Sequence, residues 1–179
     1  MTDMVSAETV TRVWQNMAQL SLSEVPLFVQ QMQEEQPAIM AYLLAVGDAL
    51  FNQHERETIF YVGMVVWQIM KQSKRRLLKV SPKKLNQAEE ANLAFLERFS
   101  AKSEADLDKA TRAMLATYPE PEVLRYIVEA IEEEDHDPDN PPIRDEYRGM
   151  AFLYLKTVLD ALISSLAAAP GSRRYKRHR

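Results

Sequence analysis

Cysteine is absent from the 179 residues of this chain, and glycine occurs only four times. Without cysteine the chain has no disulfide framework, no thiolate metal site and no cysteine nucleophile. The glycines stand at positions 47, 63, 149 and 171, too far apart for the glycine-rich loops that cradle nucleotide phosphates. Walker-type and dinucleotide-binding loops are therefore excluded as sequence motifs, together with most tight β-hairpins.

Long apolar runs without charge are also missing. The longest apolar stretch, residues 149–170, is interrupted by Lys156 and Asp160, whereas a membrane span needs about 20 mainly apolar residues. The first four residues show neither the basic region nor the apolar run of a secretory signal. We therefore expect a cytoplasmic protein that does not contact a membrane.

Apolar residues recur at helical spacing along almost the whole chain. The pattern predicts one all-α domain over residues 1–170, a bundle of about eight helices, and a basic, disordered tail over residues 171–179. Ser6 and Ser103 are candidate N-caps, and Ser81–Pro82 is a candidate cap followed by a proline at the first helical position. A last long helix is expected over residues 144–168.

The centre of the bundle is predicted to be a long buried helix over residues 53–80. Between Ile59 and Met70 only Gly63 and Gln68 interrupt the apolar sequence, and a helix that is apolar all round is usually covered by neighbours on every side. At 1.5 Å per residue this helix would be about 42 Å long. A buried strand is the alternative, because the stretch is rich in β-branched and aromatic residues.

Acidic and basic residues are segregated, although the formal net charge is only −4. Residues 71–84 carry seven lysines and arginines and no acidic residue, whereas residues 119–148 carry eleven acidic residues and three arginines. Residues 149–179 add six basic residues against one aspartate. Such blocks are typical of charged faces or tails rather than of an evenly mixed surface.

Residues 135–146 have the carboxylate spacing of an EF-hand calcium loop. Asp135, Asp137 and Asp139 stand at positions 1, 3 and 5, and Glu146 stands at position 12, where such a loop supplies its oxygen ligands. The window resembles an EF-hand in these four residues and in its helical flanks only. Calcium is the one ligand that the sequence suggests, through these four residues.

The same window departs from an EF-hand at three positions. Asn140 replaces the glycine of the sharp turn, and Pro141 and Pro142 follow it; Pro142 has no N–H for the short strand pairing of such loops. An acidic connector stiffened by prolines is the leading interpretation of the window, and calcium binding is the alternative.

A basic cluster lies at the predicted junction of the fourth and fifth helices, and nucleic-acid phosphates are bound by such surfaces. Cations near a helix C-terminus also stabilise the helix dipole, and basic blocks can pair with the acidic block inside one molecule or across a dimer. The cluster consists of Lys71, Lys74, Arg75, Arg76, Lys79, Lys83 and Lys84.

Motifs for catalysis are not visible: the sequence contains neither a nucleophile elbow nor a His-Glu-x-x-His zinc motif. We therefore predict a non-enzymatic protein-interaction or regulatory module whose partner is another protein or a second copy of this chain. Two alternatives stay open: a calcium-binding helix-loop-helix module that uses residues 135–146, and a nucleic-acid accessory protein that uses the 71–84 cluster and the tail.

Overall fold

The computed structural model describes residues 3–100, 103–133 and 141–168. These residues form eight helices, which confirms the predicted all-α bundle. The helices are α1 (Ala7–Ala18), α2 (Val25–Glu35), α3 (Pro37–Ala45), α4 (Gln53–Met70), α5 (Pro82–Ser100), α6 (Glu104–Thr117), α7 (Pro121–Glu132) and α8 (Asp145–Ser164).

Three predicted serine caps are confirmed. Ser6 Oγ accepts a hydrogen bond from the Thr9 amide at 3.2 Å, Ser81 Oγ from the Lys84 amide at 3.2 Å, and Ser103 Oγ from the Asp106 amide at 3.3 Å. Each bond satisfies one of the backbone donors that a helix start leaves free. Helix α2 lacks such a cap: it begins at Val25, and the Glu24 carboxylate accepts a hydrogen bond from the Ser21 amide instead.

Helix α4 is the buried centre of the bundle, in contact with α1, α3, α7 and α8. Trp67, Ile69 and Met70 are completely buried. Gly63 is the contact point with α3, because a Cβ atom there would lie 2.6 Å from Leu43 Cδ1. Glycine thus permits a close approach of the two helices that alanine would obstruct.

The prediction that this helix continues to Val80 was wrong, because α4 ends at Met70. Residues 71–80 form a turn and an irregular, extended segment, and Leu77 makes an isolated antiparallel bridge to Leu166. Gln36, which is buried, holds this segment: its Nε2 donates to the Leu78 carbonyl at 3.0 Å, and its Oε1 accepts from the Val80 amide at 2.8 Å.

Two effects explain why the helix stops. A continued helix would place Lys71 and Arg75, and Arg75 and Lys79, one turn apart, where like charges repel. The segment also gains backbone bonds elsewhere: the Leu78 amide donates to Ser165 O at 2.9 Å and the Ala167 amide to Arg76 O at 2.8 Å. The same pairing ends α8 at Ser164, four residues before the predicted position.

Helices α4 and α8 run parallel, so the bundle has two distinct ends. At one end Arg144, just before α8, contacts Glu55 in the first turn of α4. At the other end Arg75 donates to the Ala167 carbonyl at 2.7 Å. Helices α1 and α7 run the opposite way, since their first residues lie beside Gln72–Lys74 and their last turns lie beside His54.

Within the described ranges, none of the helices is long and apolar enough to cross a membrane. The tail at 171–179 and residues 135–140 of the acidic window lie outside the described residues.

Candidate functional site

Of the four predicted calcium ligands, one belongs to the described residues. Glu146 is exposed in the first turn of α8, whereas Asp135, Asp137 and Asp139 lie outside the described residues. Among the described residues no group of three or more His, Asp or Glu side chains is arranged to hold a metal ion. Calcium binding by this window therefore stays a prediction.

Three members of the predicted basic cluster have partners inside the molecule. Lys71 Nζ lies 3.0 Å from Glu35 Oε2 and 4.7 Å from the centre of the Trp67 ring. Arg75 donates to the Ala167 and Leu166 carbonyls at 2.7 and 3.1 Å, and Lys84 Nζ donates to Ser164 O at 2.6 Å. Arg75 and Lys84 thus bind carbonyl oxygens at and just beyond the C-terminus of α8, where the helix dipole attracts cations.

The other four members, Lys74, Arg76, Lys79 and Lys83, are exposed. They surround the place where the described chain leaves the bundle, because Ala167 is bonded to Arg76. We call this region the basic end. The segment 171–179, with its five lysines and arginines, starts within four residues of it. The nucleic-acid prediction is confined to this end and stays a prediction.

An open groove of about 780 Å³ lies between α1, α4 and α7, near the opposite end of the bundle. Three aromatic side chains line it: Trp14 from α1, Tyr61 from α4 and Tyr126 from α7. Trp14 and Tyr61 are 39% and 38% exposed, in contrast to the completely buried Trp67. The rings of Trp14 and Tyr61 therefore present apolar surface to an occupant, whereas Tyr126 is partly buried and packs against the core.

Carboxylates surround the same groove. Glu57 of α4 and Glu129, Glu132 and Glu133 at the end of α7 line it, and no lysine or arginine is among the described residues around it. No ion pair joins Glu129, Glu132 or Glu133 to another described residue. Glu129 and Glu132 belong to the last turn of α7, a turn with no basic residue, and Glu133 is its C-cap. Carboxylates are disfavoured there by the helix dipole.

The pKa values of two tyrosines reflect the burial and the negative charge of the groove. Burial, and secondarily the charge of Glu133, raises the pKa of Tyr61. Burial, with Tyr61 and Glu133 adding to it, also raises the pKa of Tyr126. Both phenols are therefore neutral at physiological pH, and the negative potential comes from the carboxylates. We call this site the acidic groove.

Aromatic faces and carboxylates together form an environment that binds organic cations. An ammonium or guanidinium group over a tryptophan or tyrosine face is stabilised by about 0.5–2 kcal/mol, and a carboxylate beside it adds a charge-assisted hydrogen bond. His54 also lines the groove, and its Nε2 is buried without a hydrogen-bond partner among the described residues. The geometry suits a lysine or arginine side chain better than an anion.

A second cavity, of about 360 Å³, lies between α5, α6, α7 and α8 and is lined mainly by apolar side chains. Asn92 and Lys156 stand at its edge within a polar network. Asn92 Nδ2 donates to Thr157 Oγ1 and Asp160 Oδ2 at 3.1 and 2.9 Å, and Lys156 Nζ donates to Asn92 Oδ1 and Asp160 Oδ2 at 2.8 and 2.7 Å. Tyr118 also donates to Asp160. Each group is paired, which is typical of a network that stabilises packing.

The acidic groove is not among the sequence predictions, because its residues come from three separate helices. A local signal exists: Tyr126, Glu129 and Glu133 follow one another at helical spacing and so share one face of α7. That this face meets Trp14 and Tyr61 depends on how the helices pack, which the spacing within one helix does not specify.

Comparison with protein-family models, curated proteins and solved structures finds no match to this chain.

Proposed function

We propose that this protein is a non-enzymatic interaction module that binds a lysine- or arginine-rich segment of a partner protein in the acidic groove. The observation that carries the proposal is the meeting of three aromatic rings and four carboxylates in one open groove, with no lysine or arginine among the described residues that line it. The occupant supplies the missing positive charge. Its aliphatic side-chain stems pack on the exposed ring of Trp14, while its cationic ends face the carboxylates.

The charge of the occupant follows from the unfavourable electrostatics of the unoccupied groove. Glu129, Glu132 and Glu133 lie close together at the negative end of α7, and a bound cation offsets both their mutual repulsion and the helix dipole. Complementary charge at an interface steers association and selects the partner. A basic segment therefore fits better than a purely apolar one, which would leave the carboxylates beside apolar surface.

A titration with an acetylated hexa-arginine amide tests the proposal. Because Trp67 is completely buried, a fluorescence change on binding reports mainly on Trp14. For the unoccupied groove we expect a dissociation constant on the order of 100 µM, which corresponds to about 5.5 kcal/mol and to a few contacts of about 1 kcal/mol each. A hexaglutamate peptide is the matched probe of opposite charge.

Two variants locate the binding. The double substitution Glu129→Gln with Glu133→Gln keeps side-chain size and is expected to weaken hexa-arginine binding about tenfold, since two charge contacts of up to 1 kcal/mol each are removed. The control is Glu34→Gln with Glu90→Gln, which removes the same charge from exposed positions on α2 and α5. Equal weakening by both pairs would show attraction by net charge alone and would contradict the proposal.

A further inference from the structure

We propose that the basic segment 171–179 of this chain folds back and occupies the acidic groove of the same molecule. This inference rests on the proposed function, because it assigns to the groove an occupant of the same chemistry. The segment contains Arg173, Arg174, Lys176, Arg177 and Arg179, together with Tyr175. It is the part of the sequence that combines the highest positive charge with an aromatic side chain able to pack on Trp14.

Charge at the point of departure directs the segment away from its origin. The described chain leaves the bundle at the basic end, where Lys74, Arg76, Lys79 and Lys83 are exposed. Like charges at close range repel, so the arginines of the segment are not stabilised beside them. The acidic groove offers the complementary charge, and no described lysine or arginine competes for it.

The length of the segment permits this contact. Tyr61, near the middle of the groove, lies nine residues before the end of α4, or about 14 Å along the helix axis from the basic end. Helix spacings of about 9 Å across one or two neighbours add a lateral distance of up to about 18 Å. Eleven extended residues after Ala168 span about 36 Å, and the eight residues up to Lys176 span about 26 Å, so Lys176, Arg177 and Arg179 can reach the carboxylates.

An intramolecular occupant would act as a competitor of the partner. Short tethers give effective concentrations in the millimolar range. Against a groove affinity on the order of 100 µM, such a concentration weakens the binding of an added peptide about tenfold. The protein would then bind basic partners strongly only when the segment is displaced, for example by a polyanion or by modification of its tyrosine or serine.

The test compares the unmodified chain with a full-length variant in which Arg173, Arg174, Lys176, Arg177 and Arg179 are replaced by glutamine. We expect the variant to bind acetylated hexa-arginine amide about tenfold more tightly than the unmodified chain. We also expect its Trp14 to be quenched more strongly by acrylamide. A second variant replaces Lys74, Arg76, Lys79 and Lys83 by glutamine. It removes a similar charge, together with the repulsion at the basic end, but keeps the cations of the segment, so we expect it to change both measurements much less than the segment variant does.

The outcomes separate this inference from the proposed function. Equal peptide binding by the unmodified chain and the segment variant, still weakened by Glu129→Gln with Glu133→Gln, would overturn the inference and leave the proposed function standing. Absence of binding by both proteins would contradict the proposed function itself. If Trp14 is shielded from acrylamide quenching at high protein concentration but not after dilution, the segment lies in the groove of a second copy. That result would overturn the intramolecular contact.

Discussion

Arg144 donates two hydrogen bonds to the carboxylate of Glu55: Nε lies 2.8 Å from Oε1, and Nη2 lies 2.8 Å from Oε2. The pair joins the start of α8 to the first turn of α4, 89 residues earlier, and its carboxylate is only 1% exposed. Glu55 also completes a capping box with Asn52. The contact therefore joins the start of α8 to the start of α4 at one end of the bundle.

The pH dependence of stability tests this pair. Hydrogen bonds from Arg144 hold the pKa of Glu55 at about 2, against its ordinary value of 4.5. Because the folded-state pKa is lowered, the stabilisation is complete above about pH 4.5 and is lost as the pH falls towards 2. Arg144→Met is expected to reduce the free energy of unfolding at pH 7 by about 3 kcal/mol and to flatten its decline in acid, as measured by urea denaturation at several pH values.

Arg125→Met is the matched control for that measurement. Arg125 pairs with Glu122 across one turn of α7 at 3.3 Å, and its side chain is 63% exposed. Exposed pairs of this kind contribute about 0–1 kcal/mol. A loss in the control as large as that in Arg144→Met, with the same slope in acid, would show that the buried pair has no special role.

The contact of α3 with α4 gives a second prediction. In Gly63→Ala the new methyl group would meet Leu43 at 2.6 Å, and overpacking of this kind costs about 1–3 kcal/mol. In the double variant with Leu43→Ala, the loss of unfolding free energy is expected to be smaller than the sum of the losses in the two single variants, because removal of the leucine side chain makes room for the methyl group. Urea denaturation of the four proteins gives the coupling, and strict additivity would count against a direct clash.

The third prediction concerns Gln36, whose two side-chain ends are bonded to Leu78 and Val80. Gln36→Ala leaves the partly buried Leu78 carbonyl and the buried Val80 amide without this partner, at a cost of about 1–3 kcal/mol. We expect faster hydrogen exchange at the Val80 amide, measured by NMR, as well as lower stability. The exposed Gln31→Ala on α2, the helix that ends just before Gln36, serves as the control; loss of Val80 protection in both variants would point to general destabilisation of α2.

These contacts show which parts of the structure were predictable from the sequence. The serine caps at Ser6, Ser81 and Ser103 depend on bonds within three residues, so local chemistry was sufficient to find them. The end of α4 depends on Gln36 and Ser165, residues far from it along the chain, and the apolar and basic pattern after Met70 contains no trace of either partner. Tertiary bonds outweighed helical periodicity there.

The acidic groove was unpredictable for the same reason. Each of its three helices carries an aromatic residue or a carboxylate on one face. The same pattern is found in an ordinary amphipathic helix, whose apolar face is buried and whose charged face is exposed to solvent. Only the packing of α1 and α7 on α4 leaves Trp14 exposed beside Glu129. The basic cluster is evident in the sequence as a charge block, but its division into paired and exposed members depends on where α8 ends.

The division of the basic cluster gives the fourth prediction. Arg75→Gln with Lys84→Gln removes three hydrogen bonds to carbonyls at the end of α8 and is expected to lower the free energy of unfolding by about 2 kcal/mol. Lys74→Gln with Lys79→Gln removes the same charge from exposed positions and should change it by less than about 0.5 kcal/mol. Urea denaturation of both variants checks this difference. Equal losses of stability in the two variants would contradict the distinction between paired and exposed cations, because both would then act only through net charge.

The same two variants test the nucleic-acid alternative, by gel retardation of DNA at low salt. If the unmodified chain retards DNA and Lys74→Gln with Lys79→Gln does not, phosphate binding is assigned to the exposed side chains. If the unmodified chain does not retard DNA at low salt, the nucleic-acid alternative is wrong.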